Sequence, residues 1–234
     1  MKGTEASILV DEYIFDGSTS QIELQMQVGE GESTNLASTA GEYVPILPSQ
    51  RITQQGWVDG VAADDFQAEL DARLANNGVL VTVLFGKSSV GCVAYTIPDS
   101  QNVEMNIASP MAGLMTVSGN WGTTAAIRRG IRIWEGEISA TGGKTSQDNG
   151  VGATTGGYAF LHVTGIDGTA SDAEILIESS PDNSTWSTEA TFTFSDLGGY
   201  TATLSGTVGR YLRVNVSDLG GADSLTLTAV VSLN

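Results

Sequence analysis

Histidine and cysteine occur once each in this 234-residue chain, as His162 and Cys92, and basic residues are scarce. A lone cysteine excludes an intrachain disulfide and a thiol cluster for zinc. A single histidine excludes a metal site built on paired imidazoles and leaves a Ser-His-Asp relay with no spare partner. His162 lies in the apolar run "YAFLHVTG" and is expected to pack within a strand. Ten Lys and Arg stand against 27 Asp and Glu, a net charge of −17. The imbalance is shared, with 17 acids and 7 bases in residues 1–140 and 10 and 3 in the rest. The densest basic group is Arg128, Arg129 and Arg132, too sparse to grip phosphates or an anionic membrane. No apolar run approaches the roughly 18–20 residues that span a bilayer. The N-terminal "MKGTEASILVDEYIF" is too short and is interrupted by Asp11–Glu12, which argues against a signal peptide. A soluble protein made in a reducing cytoplasm is the expectation.

Catalytic and cofactor chemistry find little support. No glycine motif opens a helix after a strand, so a phosphate cradle is not indicated. A glycosidase needs two carboxylates facing each other, and no flanking motif marks such a pair. Asp167 and Asp172 in "GIDGTASDAE" lack the spacing of an EF-hand and read as a solvated turn. "SSPDNSTW" reads as a hairpin turn, with Trp186 packing behind it. The triplets at Asn183 and Asn215 match glycosylation sequons but have no secretory context. No catalytic, metal-binding or cofactor-binding residue is assigned.

What is present is β-structure. Hydrophobic residues make up 41% of the chain and 29 glycines punctuate it. Strands are expected at 7–15, 21–28, 52–58, 79–85, 91–97, 102–107, 114–120 and 126–134. One helix is expected at 64–76, where Phe66, Leu70 and Leu74 recur every four residues, Asp64 or Asp65 caps the start and Asn77–Gly78 ends it. Residues 139–157, "SATGGKTSQDNGVGATTGG", have linker composition. Beyond them strands resume at 158–164, 173–179, 189–194, 200–204, 210–216 and 224–233, the spacing of a small antiparallel sandwich. The reading is all-β with one flanking helix, in two domains, 1–138 and 158–234, and no repeat relates the halves.

Two segments alternate strictly. In "QIELQMQV", Gln21, Glu23, Gln25 and Gln27 oppose Ile22, Leu24, Met26 and Val28. In "NVEMNI", Asn102, Glu104 and Asn106 oppose Val103, Met105 and Ile107. Each is a strand with one apolar and one amide-rich face that carries no cation. The stretch from Gly29 to Ser49 has no period and is expected to be a long loop.

The C-terminal run "GGYAFLHVTGIDGT…AEILIESSPDNSTWSTEATFTF…GRYLRVNVS" resembles the accessory domain that follows the tube domain in major tail proteins of long-tailed, non-contractile phages. "SILVDEYIFDG", "ESTNLASTAGEYVPILPSQ" and "QQGWVDG", in that order, resemble the tube domain itself. The resemblance implies a structural virion protein: a tail-tube β-sandwich or barrel followed by an Ig-like or jelly-roll-like sandwich on the outside. It implies hexameric rings whose strands join into one barrel, rings that stack into the tube, and genome DNA passing without specific binding. It also implies tape-measure, terminator and distal-tail proteins as neighbours in the virion. On this reading Gln21, Glu23, Gln25, Gln27, Asn102, Glu104 and Asn106 line the bore. The loop, with Glu30, Glu32, Asn35, Leu36, Tyr43 and Pro45, reaches a neighbouring subunit. A contractile-tail inner tube is a close cousin, disfavoured because a sheath would collide with the outer domain. The rival reading is a carbohydrate-binding adhesin of a tail tip or cell surface, with Trp186, Tyr200 or Tyr211 as stacking platforms.

Overall fold

The computed structural model describes residues 6–33, 40, 43–58, 66–86, 91–110, 113–123 and 126–234. Among the described residues it is all-β with one helix, seven residues long. The chain divides into two compact units that do not follow the expected boundary at 139–157. One unit takes residues 1–17, 79–98 and 127–234, and the other residues 18–78 and 99–126.

The first unit begins with β1 (Ala6–Val10), β2 (Tyr13–Ile14), β5 (Val79–Phe85) and the first half of β6 (Val93–Ala108). It continues with β8 (Arg128–Ile138), β11 (Gly157–Asp167), β14 (Gly198–Leu204) and β16 (Ser224–Leu233), and these form a sheet in the order β14-β11-β16-β8-β6-β5-β1-β2. A second sheet has the order β10 (Gln147–Asp148), β15 (Tyr211–Asp218), β12 (Ala173–Ser180), β13 (Ser187–Phe194), with β9 (Gly142–Gly143) also on β15. Alternation decides what lies between them. Ala159, Leu161, Leu225 and Leu227 face Ile175, Ile177, Phe192, Leu212 and Val214 in the main core. The intervening Phe160 and Val230 face the other way, against Leu9, Leu80, Leu84 and Ala94. Buried on both faces for most of their length, β11 and β16 place apolar side chains on both, with Gly, Ser and Thr at most of the remaining positions. The segment read as a linker is ordered: Gly142 and Gly143 pair with Val216 and Asn215, and Gln147 and Asp148 with Leu212 and Tyr211.

The second unit is a four-stranded antiparallel sheet, β3 (Thr19–Glu32), β4 (Tyr43–Trp57), β7 (Thr116–Thr123) and the second half of β6, with α1 (Phe66–Ala72) on one face. Its registers run Leu24↔Ile52↔Trp121↔Asn102 and Glu23↔Thr53↔Asn120↔Glu104. On the helix side Ile52, Val117 and Trp121 meet Phe66 and Leu70 in a closed core. Small residues make the helix fit: a Cβ on Gly56 would lie 2.7 Å from the Phe66 ring, and one on Gly119 2.6 Å from Leu70 Cδ2. Trp121 Nε1 donates to Gln54 Oε1 (3.2 Å), and Gln54 Nε2 donates to Thr19 Oγ1 (2.8 Å).

Several local expectations change. The helix ends at Ala72 rather than 76, because Leu74 bridges to Asn102 and Ala75 turns left-handed at φ 64°. Asp64 and Asp65 lie outside the described residues. The strands expected at 91–97 and 102–107 are one strand, β6, and Pro98 sits where its partner changes: Thr96 still pairs with β8 and Ser100 already with β7. The expected 29–49 loop is mostly a hairpin, with Glu30 opposite Pro45 and Glu32 opposite Tyr43. Asn35 and Leu36 fall outside the described residues.

Candidate functional site: the polar face of the four-stranded sheet

Opposite the helix, the sheet of the second unit presents side chains from all four strands. Gln21, Glu23, Gln25 and Gln27 of β3 are exposed there, as are Glu104 and Asn106 of β6. The two alternating segments thus share one face, although they sit on opposite edges of the sheet. Between them lie Arg51, Thr53 and Gln55 of β4 and Ser118, Asn120 and Gly122 of β7. Asn102 is the exception and corrects the expected set. A bulge at Val103 puts Asn102 on the helix side, fully buried, where its Nδ2 donates to the Leu70 carbonyl (2.8 Å) and its own carbonyl accepts from Ala75 N–H.

The polar side chains are linked across strands. Thr53 Oγ1 donates to Asn120 Oδ1 (2.7 Å), Asn120 Nδ2 donates to Glu104 Oε2 (2.6 Å), and Asn106 Nδ2 donates to Glu104 Oε1 (2.8 Å). Each carboxylate oxygen of Glu104 therefore accepts an amide N–H. Those bonds, first from Asn106 and then Asn120, with Arg51 nearby, hold its carboxyl below the usual range and keep it ionised. Arg51 is a cation on this face, which the two alternating segments alone do not reveal. It stands on β4 opposite Gln25 and Gly122, two residues along from the Glu23↔Thr53↔Asn120↔Glu104 row.

The helix-side face is unevenly covered. Its central strands bury Ile52 and Trp121 completely, while on the edge strands Met26 is 53% and Ile107 45% exposed. Among the described residues β3 pairs only with β4, and residues 100–108 of β6 form a strand ladder only with β7. Both edges thus carry unused backbone groups beside partly uncovered apolar side chains.

The other singled-out residues have structural surroundings. Trp186 is half-buried, with the Arg213 guanidinium 4.0 Å from its ring centre; Arg213 Nε donates to Glu178 Oε2 (2.6 Å), and Asn215 Nδ2 to Glu178 Oε1 (2.8 Å). The Tyr200 ring packs 5.4 Å from Phe194 and its hydroxyl donates to the Asp196 carbonyl, so it is no free platform. Burial, then Asp196 and Glu12, raises its pKa. Arg210 lies 4.9 Å from the Tyr211 ring. Asp182 shapes the 180–186 turn, where its Oδ1 accepts from Ser184 N–H, Thr185 N–H and the Ser180 hydroxyl, and these bonds lower its pKa. His162 is fully buried, within 2.7 Å of the Asp11 carbonyl and 2.8 Å of Thr82 Oγ1. Among the described residues no group of three or more His, Cys, Asp or Glu could hold a metal ion, and no helix is long and apolar enough to cross a membrane.

No family model and no curated protein matches the sequence. Among solved structures, the chain is similar to the Dit (gp 19.1) protein of phage SPP1, described as a paradigm of the hub adsorption apparatus in phages that infect Gram-positive bacteria. The identity is 11%, the overlap covers 97% of this chain and 98% of that one, and the TM-score is 0.38. A superposition that loose transfers neither fold detail nor role.

Proposed function

We propose that this is a structural phage tail protein whose second unit closes with copies of itself around a bore for genome DNA. The observation that carries the reading is the four-stranded sheet: one face is mainly polar, exposed on β3 and β6 and mostly half-buried between them, and among the described residues neither edge strand forms a ladder with a further strand, although the Asn102 carbonyl of β6 accepts from Ala75. Apolar side chains beside those edges, Met26 on β3 and Ile107 on β6, are about half exposed while the central ones are buried. Joining β3 of one copy to β6 of the next satisfies the backbone groups, covers those side chains and makes the amide-rich faces continuous. Such a contact is heterologous, and a heterologous contact propagates until it closes. The sequence resemblance to tail-tube proteins supports hexameric rings that stack, with tape-measure, terminator and distal-tail proteins as partners. The wall suits passage. Non-specific DNA binding rests on clustered Lys and Arg, whereas this face offers glutamines, asparagines, hydroxyls, two carboxylates, one arginine and the exposed Val103 that lies over Gly122.

Negative-stain microscopy of the purified full chain tests the reading. Rings or tubes with a hollow centre are expected, and Met26→Asp or Ile107→Asp, each placing a charge beside a joining edge, should abolish them while leaving the monomer folded by circular dichroism. A monodisperse globule at every concentration would overturn it.

A further inference from the structure

Asparagine is followed by glycine twice in this chain, at Asn77–Gly78 and at Asn149–Gly150. Such a pair can modify itself. The glycine nitrogen loses its proton and attacks the asparagine Cγ, the Cγ–Nδ2 bond breaks, and ammonia leaves carrying a proton. Water then opens the succinimide ring to aspartate or isoaspartate. Exchanging the glycine is a costly escape, because Gly78 has φ 85° and Gly150 φ 80°, the left-handed region that favours glycine.

In both turns the attacking nitrogen is already engaged. Gly78 N–H donates to Asp99 Oδ1 (2.9 Å), and Gly150 N–H donates to Asp148 Oδ1 (2.8 Å). The two aspartates arrive by different routes. Asp99 comes from β6, far along the chain, whereas Asp148 lies two residues before its glycine, in β10. One turn type therefore does not account for both bonds. Asp148 is itself fixed: Arg210 Nε donates to the same oxygen (2.9 Å) and the Arg210 guanidinium also bonds the other. Those bonds, and then the one from Gly150, lower its pKa and keep it ionised. Asn149 is held as well, its N–H donating to the Arg210 carbonyl (2.9 Å) and its Nδ2 to the Val151 carbonyl (3.0 Å).

We propose that Asp99 and Asp148 guard the two asparagine–glycine pairs against succinimide formation. A carboxylate at the glycine nitrogen opposes the first step in two ways. Its charge-assisted hydrogen bond holds the nitrogen and its proton in place. A nitrogen anion beside it would also be a like-charge pair, which disfavours loss of that proton. Without the guard, isoaspartate would insert an extra backbone carbon directly before β5 or directly after β10. The guarding is independent of the tube reading.

The test ages the full chain in mildly alkaline buffer and reads deamidation at Asn77 and Asn149 separately by peptide mass spectrometry. Asp99→Ala is expected to raise the rate at Asn77 several-fold and leave Asn149 unchanged, and Asp148→Ala to do the reverse. Asp99→Asn, which keeps an oxygen to accept from Gly78, should raise Asn77 less than Asp99→Ala does. Arg210→Gln removes the ion pair but keeps Asp148, so it should raise Asn149 less than Asp148→Ala does. An unchanged rate at the matching asparagine in either alanine variant would overturn the guarding of that turn. A rise at both asparagines in each single variant would reveal general loosening of the chain and overturn the proposal as a whole.

Discussion

At the scale of single residues, His162 has the most to lose from a change of pH. A carbonyl oxygen only accepts, so His162 Nδ1 carries the proton donated to Asp11, and Nε2 accepts from Thr82, whose hydroxyl is also 3.0 Å from that of Thr96. This is a neutral imidazole in a closed space. Burial lowers its pKa from 6.5 to about 4, against a smaller opposing effect of the Asp11 carbonyl. The unfolded chain therefore binds more protons between those values. The contribution of His162 to stability is full above pH 6.5 and is lost as pH falls to about 4, up to about 3 kcal/mol in all. Urea unfolding followed at pH 7, 6, 5 and 4 should show this loss, and His162→Gln should flatten that part of the profile whatever its absolute stability. Equal slopes for the two proteins would rule the assignment out. Cys92 behaves as its surroundings require: buried, with its thiol pKa raised by burial, it should react with a disulfide reagent only after unfolding. The polar character of Gln21–Gln27 and of Glu104 and Asn106 was legible from alternation alone. Asn102 was not, because a bulge breaks the period one residue later and a one-residue slip exchanges the faces.

At the scale of elements, the seating of α1 on its sheet depends on two positions with no side chain. Gly56 faces both the Ser18 carbonyl and the Phe66 ring, and a backbone atom cannot step aside as a side chain can. Gly56→Ala should destabilise the second unit by about 1–3 kcal/mol, the usual cost of overpacking, with larger losses where backbone must move. Gly17→Ala is the matching control, since a Cβ there meets nothing within 4 Å. Chemical denaturation of both variants checks the pair, and equal midpoints would show that the helix is not packed this closely. Where the sequence pattern failed, it failed for want of partners. Val79–Phe85 matched its expected bounds because its signal is local: a β-branched apolar run between turns. The hairpin arms beyond Val28 show no alternation, yet Glu30–Glu32 pair with Tyr43–Pro45 through backbone groups that no side-chain pattern reports. Residues 139–157 carry linker composition, yet Gly142 and Gly143 need only their backbone to join β15. Nor does any local signal say that β8 pairs with β16, some ninety residues away in the chain, a pairing that puts residues 127–138 in the same unit as the C-terminal strands.

At the scale of the whole molecule, charge would oppose the proposed assembly through the sheet edges. The second unit, which carries both edges, has eleven acidic residues to two basic ones, and the whole chain carries −17. Copies that join β3 to β6 bring these like charges together, and stacked rings do so again. The repulsion is long-ranged only in dilute salt, since the screening length is about 10 Å at 0.1 M and about 3 Å at 1 M. The attraction in the proposed contact would not fade in the same way, because strand hydrogen bonds and the burial of Met26 and Ile107 would act at contact. Adding sodium chloride should therefore raise the assembled fraction at fixed protein concentration, as read by sedimentation velocity between 0.1 M and 1 M. Sulfate would be a poor choice of salt, since it also strengthens apolar burial and would confound the two effects. A charge variant separates them further. Replacing acids on the exposed polar face, Glu23→Gln with Glu104→Gln, lowers the repulsion without touching the edges, so assembly should need less salt. An assembled fraction that falls with sodium chloride, or that ignores both the salt and the charge variant, would show that the acidity has no part in restraining the free subunit.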